Sequence, residues 1–550
     1  MTSQLLRSPL FAPDYQALST QASAQRSYKR ANAIASIHGL SAHDIHTMSQ
    51  KFWDLHQDPI TCIDGAATTL LTIQYNLVVG TLTRINPVGY PDIPKLIKDL
   101  LSFKLIGQFC LTELDHGLDA FNLETKATQL PNGKFDLHTP HPGAAKFMPP
   151  TVPVLYVPCT AIVFARLFVD EEDLGPAMFL VPLNDGRTMY PGVTAKLLPP
   201  RGGSYPVNHA LTTFQHVELP SSSLLRIHDT TGQQKCTHSQ FMDIIWRVAV
   251  GSLCLGSIAI PALQISAFIG IKYGQRRSVE SKSSSDRSPL LSISTHQKPV
   301  FTALAQAYVL KAFASWAITI FADPSIDHQI RRGIAACAKA VMAQHAQSAH
   351  LAISNHCGAQ GLFAYNQLCN QHSEYCGISI AEGDLLGLSI KTVADLVRGR
   401  YSLPTPYNGD HLVSKHEDAV INEVLELLSA ADNPVQTFSR HVLPRCLHIV
   451  ESIGHRMAYE AAVKSDIPDC LIDMYLCHII ELDMAWYVEV GLVSRASLSQ
   501  WTEENIVKIS NNIQLYTQSL EVDRYVTAPI VSDSSWNSFM EKLPVYTSRL

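Results

Sequence analysis

Charge is what this chain has least of. Asp, Glu, Lys and Arg make up 16% of its 550 residues, against the quarter or so usual in soluble domains. The net charge is −6 and no block of like charge occurs. Binding a phosphate backbone needs a basic face, so a nucleic-acid partner is not expected. The twelve cysteines include no C-x-x-C pair. They are too sparse for a disulfide scaffold and read as reduced thiols of an intracellular protein. The N-terminal stretch MTSQLLRSPLFAPDYQ lacks the apolar region of a secretory signal. A G-x-S-x-G elbow, a P-loop and a dinucleotide-binding glycine fingerprint are all missing. HTPHP (His138, His141) and the pair Cys477-His478 lack the paired spacing of a zinc site, so no metal is expected. There is no internal repeat and no low-complexity segment.

What the chain has instead is apolar surface, with hydrophobic residues at 46%. At this length several domains are expected. Residues 1–106 carry apolar positions at helical spacing and predict an N-terminal helical domain, with Ser41 and Asp44 as a capping pair. Between 107 and 230 the texture turns to short β-rich runs broken by Pro and Gly. TAIVFARLFV and AMFLVPL, joined by the acidic DEEDLGP, predict a hairpin within an antiparallel β domain. Residues 231–402 return to helices of very low charge. FTALAQAYVLKAFASWAITIF and GIAACAKAVMAQHAQSAHLAI contain one charge each, so both need neighbours on most sides, as in a four-helix bundle. The charge-free run Val248–Ile271 is long enough to cross a membrane. Its Gly, Ser and Ala content, Pro261 and the absence of an aromatic belt predict a buried bundle helix and no transmembrane segment. GQRRSVESKSSSDRSP reads as a polar loop. After the Pro/Gly linker near residue 405, residues 410–550 predict a second, C-terminal helical domain.

Five segments carry a more specific signal. They are KFWDLHQDPITCIDGAATTLLTIQYNLVVGTL (51–82), GQFCLTELDHGLDAFNLETKAT (107–128), IKYGQRRSV (271–279), CGAQG (357–361) and AEGDLLGLSIKTVADLV (381–397). In this order and spacing they resemble peroxisomal acyl-CoA oxidases of the acyl-CoA dehydrogenase/oxidase superfamily. The resemblance implies that superfamily's fold: mainly α with a central antiparallel, barrel-like β domain, then a four-helix-bundle domain and a second helical domain. It implies FAD as cofactor and an acyl-CoA thioester as substrate, oxidised to the trans-2-enoyl-CoA, with O2 reoxidising the flavin to give H2O2. Glu382 is then the base that takes the α-proton, and its apolar neighbours would raise its pKa. Gly383 would let the substrate approach closely. Thr112 and Thr151 would contact the flavin, Arg277 would meet the FAD pyrophosphate across a homodimer interface, and Gly358 and Gly361 would let the backbone approach the cofactor. Asp384 suits the plainer task of opening a helix.

The sequence departs from the family pattern at Phe147, Met148, Pro149, Pro150 and Thr151, where tryptophans and glycines are usual beside the flavin. Pro150 has no N–H to donate there. The expectation drawn from this is a specialised acyl substrate, such as a branched or polyketide-derived thioester of secondary metabolism. Ser548-Arg549-Leu550 resembles the Ser-Lys-Leu peroxisomal address and predicts recognition by the peroxisomal import receptor, a peroxisomal location and a place in fatty-acid β-oxidation. A contrasting reading is a catalytically silent homologue kept as a scaffold.

Overall fold

The structure, a computed structural model, describes all residues except 1, 14–17, 87, 203–204, 228–234, 281–286 and 548–550. The expected address Ser548-Arg549-Leu550 therefore lies outside the described residues. The chain falls into two compact units. The first holds residues 1–12, 17–55 and 64–251; the second holds residues 13–16, 56–63 and 252–550.

The first unit begins with α1 (Thr20–His38), capped by Ser19 and closed by Gly39 in the left-handed conformation. Arg30 of α1 is buried and donates to Asp64 at 2.9 Å, and the same carboxylate caps the helix Gly65–Leu71 through Ala67 N–H. A buried charge is tolerable only when paired and hydrogen-bonded in this way. A π-helical stretch, Thr72–Val79, follows. Here Asn76 accepts from Arg247 Nε and donates to its carbonyl, and Gly80 leaves room for the guanidinium.

The strands are β1 (Ile106–Cys110), β2 (Lys126–Gln129), β3 (Phe135–His138), β4 (Lys146–Phe147), β5 (Cys159–Val169), β6 (Glu172–Asn184), β7 (Val193–Leu197), β8 (Ala210–Phe214), β9 (Val217–Leu219) and β10 (Leu224–Leu225). The expected hairpin is present: β5 and β6 pair antiparallel along most of their length. Most pairings are antiparallel as expected, and two parallel neighbours are added, since β1 and β2 both run parallel to β5. The physical reason lies in β5 itself, which is buried along most of its length and exceeds either partner. β1 takes its first half (Cys159–Val163) and β2 its second (Arg166–Phe168). Between them, residues 111–125 leave the sheet and return. β4, β8 and β7 form a separate three-stranded sheet.

The second unit is helical: α2 (Trp246–Ser257, entering this unit at Ser252), α3 (Ala259–Arg276), α4 (Ser294–Ala322), α5 (His328–His356), α6 (Leu368–Ile378), α7 (Leu385–Val397), α8 (Cys446–Val463) and α9 (Asp469–Leu482). α4 and α5 are its core. They pack on each other, on α3, and on α8 from beyond the Pro/Gly linker. Phe301, Leu304, Leu310 and Phe313 of α4 and Ile334, Val341 and Met342 of α5 are buried. Small residues allow close crossings: a Cβ on Gly256 of α2 would lie 3.1 Å from Lys339 Cα on α5. Two stretches, Trp246–Arg276 and Ser294–Ala322, are long and apolar enough to cross a membrane by length and composition, yet 89% and 61% of their most apolar windows are buried within the protein. The part of the predicted polar loop that is described forms a short ribbon, β11 (Ser278–Glu280) with β12 (Arg287–Pro289). No disulfide joins any of the twelve cysteines, all of which are among the described residues.

The same apolar interior holds His345 and His350 on α5, His455 on α8 and His478 on α9. Burial pushes His350 and His455 down to about 3 and His478 to about 4. A depressed histidine is neutral when folded but takes a proton near 6.5 when unfolded. Its contribution is intact above that pH and is lost as pH falls towards the folded value. Glu451, raised by burial to about 7, works in the opposite sense. A difference measurement isolates one histidine. Between pH 6.5 and 4.5, wild-type stability in urea should fall by about 1.4 kcal/mol per pH unit more than that of His350→Asn. Parallel pH profiles would show that His350 is not held neutral.

Candidate functional site

In the first unit the 111–125 excursion is closed by one carboxylate. Glu113, fully buried, accepts from Thr125 N–H (2.9 Å), Thr125 Oγ1 (2.6 Å) and Glu124 N–H (2.6 Å), and from Lys146 Nζ at 2.8 Å. Lys146 is equally buried. Burial pushes the Glu113 carboxyl up, but Lys146, Thr125 and Glu124 N–H outweigh it and hold the group below its usual range. Burial likewise lowers Lys146, against the pull of Glu113. This pair was not singled out from the sequence, although Glu113 sits inside TEL and Lys146 inside AAKF.

Thr112, next to Glu113, is half-buried, and its carbonyl accepts from Phe147 N–H at 3.0 Å. Thr112 and the 147–151 segment are thus tied together. Thr151 is fully buried. Its hydroxyl bonds Thr212 Oγ1 at 2.7 Å and its carbonyl accepts from Asn184. With both groups occupied, a ligand contact by Thr151 is left to its N–H.

In the second unit Glu382 lies in the turn between α6 and α7. It adopts a left-handed φ of 50°, followed by Gly383 at φ 102°. Such a conformation costs on the order of 1–3 kcal/mol for a non-glycine residue and persists only where surroundings enforce it. Here they do. Ser252 of α2 donates to the Glu382 carbonyl at 2.5 Å. Lys339 of α5, fully buried, donates to the carbonyls of Ala381 and Gly383. Three successive carbonyls are therefore held from two other helices. A Cβ at Gly383 would sit 2.9 Å from Leu388 and 3.1 Å from Ser252 Oγ, so conformation and space both require glycine. Asp384 caps α7, accepting from Leu386 and Gly387 N–H, as the sequence suggested.

The setting of Glu382 differs from the apolar one expected. Ile380 and Leu386 are 64% and 52% exposed, and a lysine backs the turn. Leu386 is turned outward by the helical period of α7, whose apolar face is set by residues such as Leu385 and Val393, and Ile380 lies in the turn before it. Burial lowers Lys339 to about 7, against the upward pull of Glu382 and Asp384.

Arg277 is the exposed C-cap just past α3, its N–H bonded to the Tyr273 carbonyl and its own carbonyl to Leu290 N–H. Its neighbour Arg276 is engaged by Asp533. Gly358 and Gly361 lie in the 3-10 turn after α5. Gly358 is left-handed with open space where a Cβ would stand. Gly361 has another role: its Cβ would lie 2.0 Å from the Ser354 carbonyl oxygen, so glycine is needed for packing against α5. Elsewhere His416 and His448 converge on the Asp483 carboxylate, a grouping absent from the sequence expectations.

Residues 253–397 match the acyl-CoA oxidase C-alpha1 domain. The peroxisomal acyl-coenzyme A oxidase 2 of Arabidopsis thaliana is 24% identical over 62% of this chain and 52% of its own length. The chain thus spans about half of that relative's length. Acyl-CoA oxidase 1 of Yarrowia lipolytica superposes with a TM-score of 0.83 at 18% identity, covering 100% of this chain and 90% of that one. Acyl-CoA oxidase-2 of Caenorhabditis elegans, solved with FAD, ascaroside-CoA and ATP, gives 0.80 at 16% identity over 98% and 89%. The fold is that of the acyl-CoA oxidases, with helical, β-rich and helical regions following one another along the chain. These matches support a likeness to the acyl-CoA oxidase-like superfamily.

The Glu113–Lys146 pair gives a direct test. Lys146→Met should destabilise the first unit by about 3–5 kcal/mol in urea, because it leaves a buried carboxylate without its counter-charge. Combining it with Glu113→Gln should recover much of the loss. A single Lys146→Met change without effect would show that the pair does not hold the excursion.

Proposed function

We propose that the chain is an FAD-dependent acyl-CoA oxidase-like oxidoreductase that converts an acyl-CoA to its trans-2-enoyl-CoA. The observation that carries this reading is Glu382, a carboxylate on a strained turn held by Ser252 and Lys339. A C. elegans neighbour solved with FAD and ascaroside-CoA supports the cofactor and the substrate class.

Each unit by itself offers groups that the flavin reading uses. Thr112 offers a half-buried hydroxyl, Arg277 an exposed cation, and Gly358 an unobstructed left-handed backbone. Thr151, through its N–H, and Gly361 add main-chain contacts at most. Bound FAD would supply the acceptor for the β-hydride and pass the electron pair to O2, which with the two hydrogens removed from the substrate leaves as H2O2. Glu382 Oε takes the α-proton, so that the proton and the hydride leave adjacent carbons as the double bond forms. As negative charge grows on the thioester oxygen, the N–H of Glu382 is the donor this reading assigns to it. Gly383 keeps the backbone free of a Cβ beside the acyl chain. The peroxisomal name of the Arabidopsis relative supports a peroxisomal location, and the reading includes a place in β-oxidation. A homodimer and capture by the import receptor complete the reading. A second reading changes only the substrate: the altered 147–151 segment favours a non-fatty acyl thioester, as in a tailoring enzyme.

Purified protein should be yellow, and an acyl-CoA added without air should bleach it. Glu382→Gln should bind flavin but bleach on the order of 10²–10⁴-fold more slowly. Rapid recovery of colour with peroxide release on admitting air distinguishes oxidase from dehydrogenase. Colourless protein that FAD cannot reconstitute would leave the scaffold reading standing.

A further inference from the structure

Lys339 is the lone charge in GIAACAKAVMAQHAQSAHLAI, and it is fully buried where its neighbours are apolar. Packing alone would accept Met or Leu there at lower cost, since an ammonium taken out of water is penalised by several kcal/mol. Its N–H groups point at one target. They donate to Ala381 and Gly383, the carbonyls on either side of Glu382, while Ser252 holds the carbonyl between. The tight crossing at Gly256 fixes where the lysine stem starts. The charge also acts on the carboxylates beside it, since Glu382 and Asp384 are the groups that pull Lys339 back towards its charged form. An ammonium bonded to the carbonyls of this turn favours negative charge on a carboxylate that the turn carries.

Resting on the reading of Glu382 as the base, we propose that Lys339 is its positioning residue: it fixes the turn that carries Glu382 and biases that carboxyl towards the proton-accepting, ionised form. A plainer role would be to satisfy carbonyls near the end of α6, where a cation is favoured by the helix dipole. The two roles differ in pH dependence. A structural tie lowers the rate equally at every pH, whereas loss of the charge moves the pH at which Glu382 becomes a base.

The test uses the full chain loaded with FAD, as wild type, Lys339→Met and Lys339→Gln. Flavin bleaching by a panel of acyl-CoAs is followed without air across the acid-to-neutral range, with flavin content and thermal midpoint measured for each form. Lys339→Met should bleach on the order of 100-fold more slowly at neutral pH. The acid limb of its profile should move up by about one pH unit. Lys339→Gln keeps N–H donors without charge, so it should recover part of the rate and retain the displaced limb. An unmoved limb, or wild-type bleaching in Lys339→Met, overturns the proposal while leaving Glu382 as the base. If Lys339→Met does not fold, the limb of Lys339→Gln decides alone. Wild type that holds flavin yet is bleached by no acyl-CoA in the panel overturns the functional reading, and this proposal with it.

Discussion

An ammonium group at zero exposure must find partners for its N–H bonds, and Lys339 finds them on the main chain. That choice shapes much of the second unit. α5 must run through the interior to carry the lysine, so α3, α4 and α8 pack against it. The turn after α6 must present its carbonyls inward, which puts Glu382 at a positive φ and requires Gly383 beside it. The energy of the bundle's apolar packing is what tolerates a buried cation and a strained turn in one place.

The first unit uses scarce charge in the same manner. Arg30 with Asp64 and Lys146 with Glu113 are buried pairs whose remaining donors and acceptors are met by main-chain and side-chain groups. Both sit where the chain leaves regular structure, one at the start of a helix and one at the neck of the 111–125 excursion. Few charges are present, and several of them fix irregular backbone inside the protein. Low overall charge is therefore consistent with charge being important to the architecture.

How legible this was depended on sequence distance. The β5–β6 hairpin was readable because both strands and their turn are contiguous, and the Asp384 cap because its N–H donors lie two and three residues on. The parallel partners of β5 were not readable, since Cys110 pairs with Val163 across a long connection. The apolar pocket expected around Glu382 failed for a related reason. Local composition shows which residues neighbour Glu382 in the chain, but Ile380 is turned outward by the path of the turn and Leu386 by helix phase. Lys339 did leave a trace, as one charge in an apolar helix, but nothing in the helix itself says what it faces.

By itself the sequence determined the alternation of helical and β-rich regions, the low-charge bundle, and the motif order that points to the acyl-CoA oxidase-like superfamily. These are properties of period, composition and spacing, which local chemistry dictates. Tertiary structure alone decided that Thr151 spends its hydroxyl on Thr212, that Gly361 answers to Ser354, and that Lys339 and Ser252 hold the turn of Glu382. Each depends on groups brought together from different elements, and the direction of a buried side chain is fixed only when all its neighbours are in place.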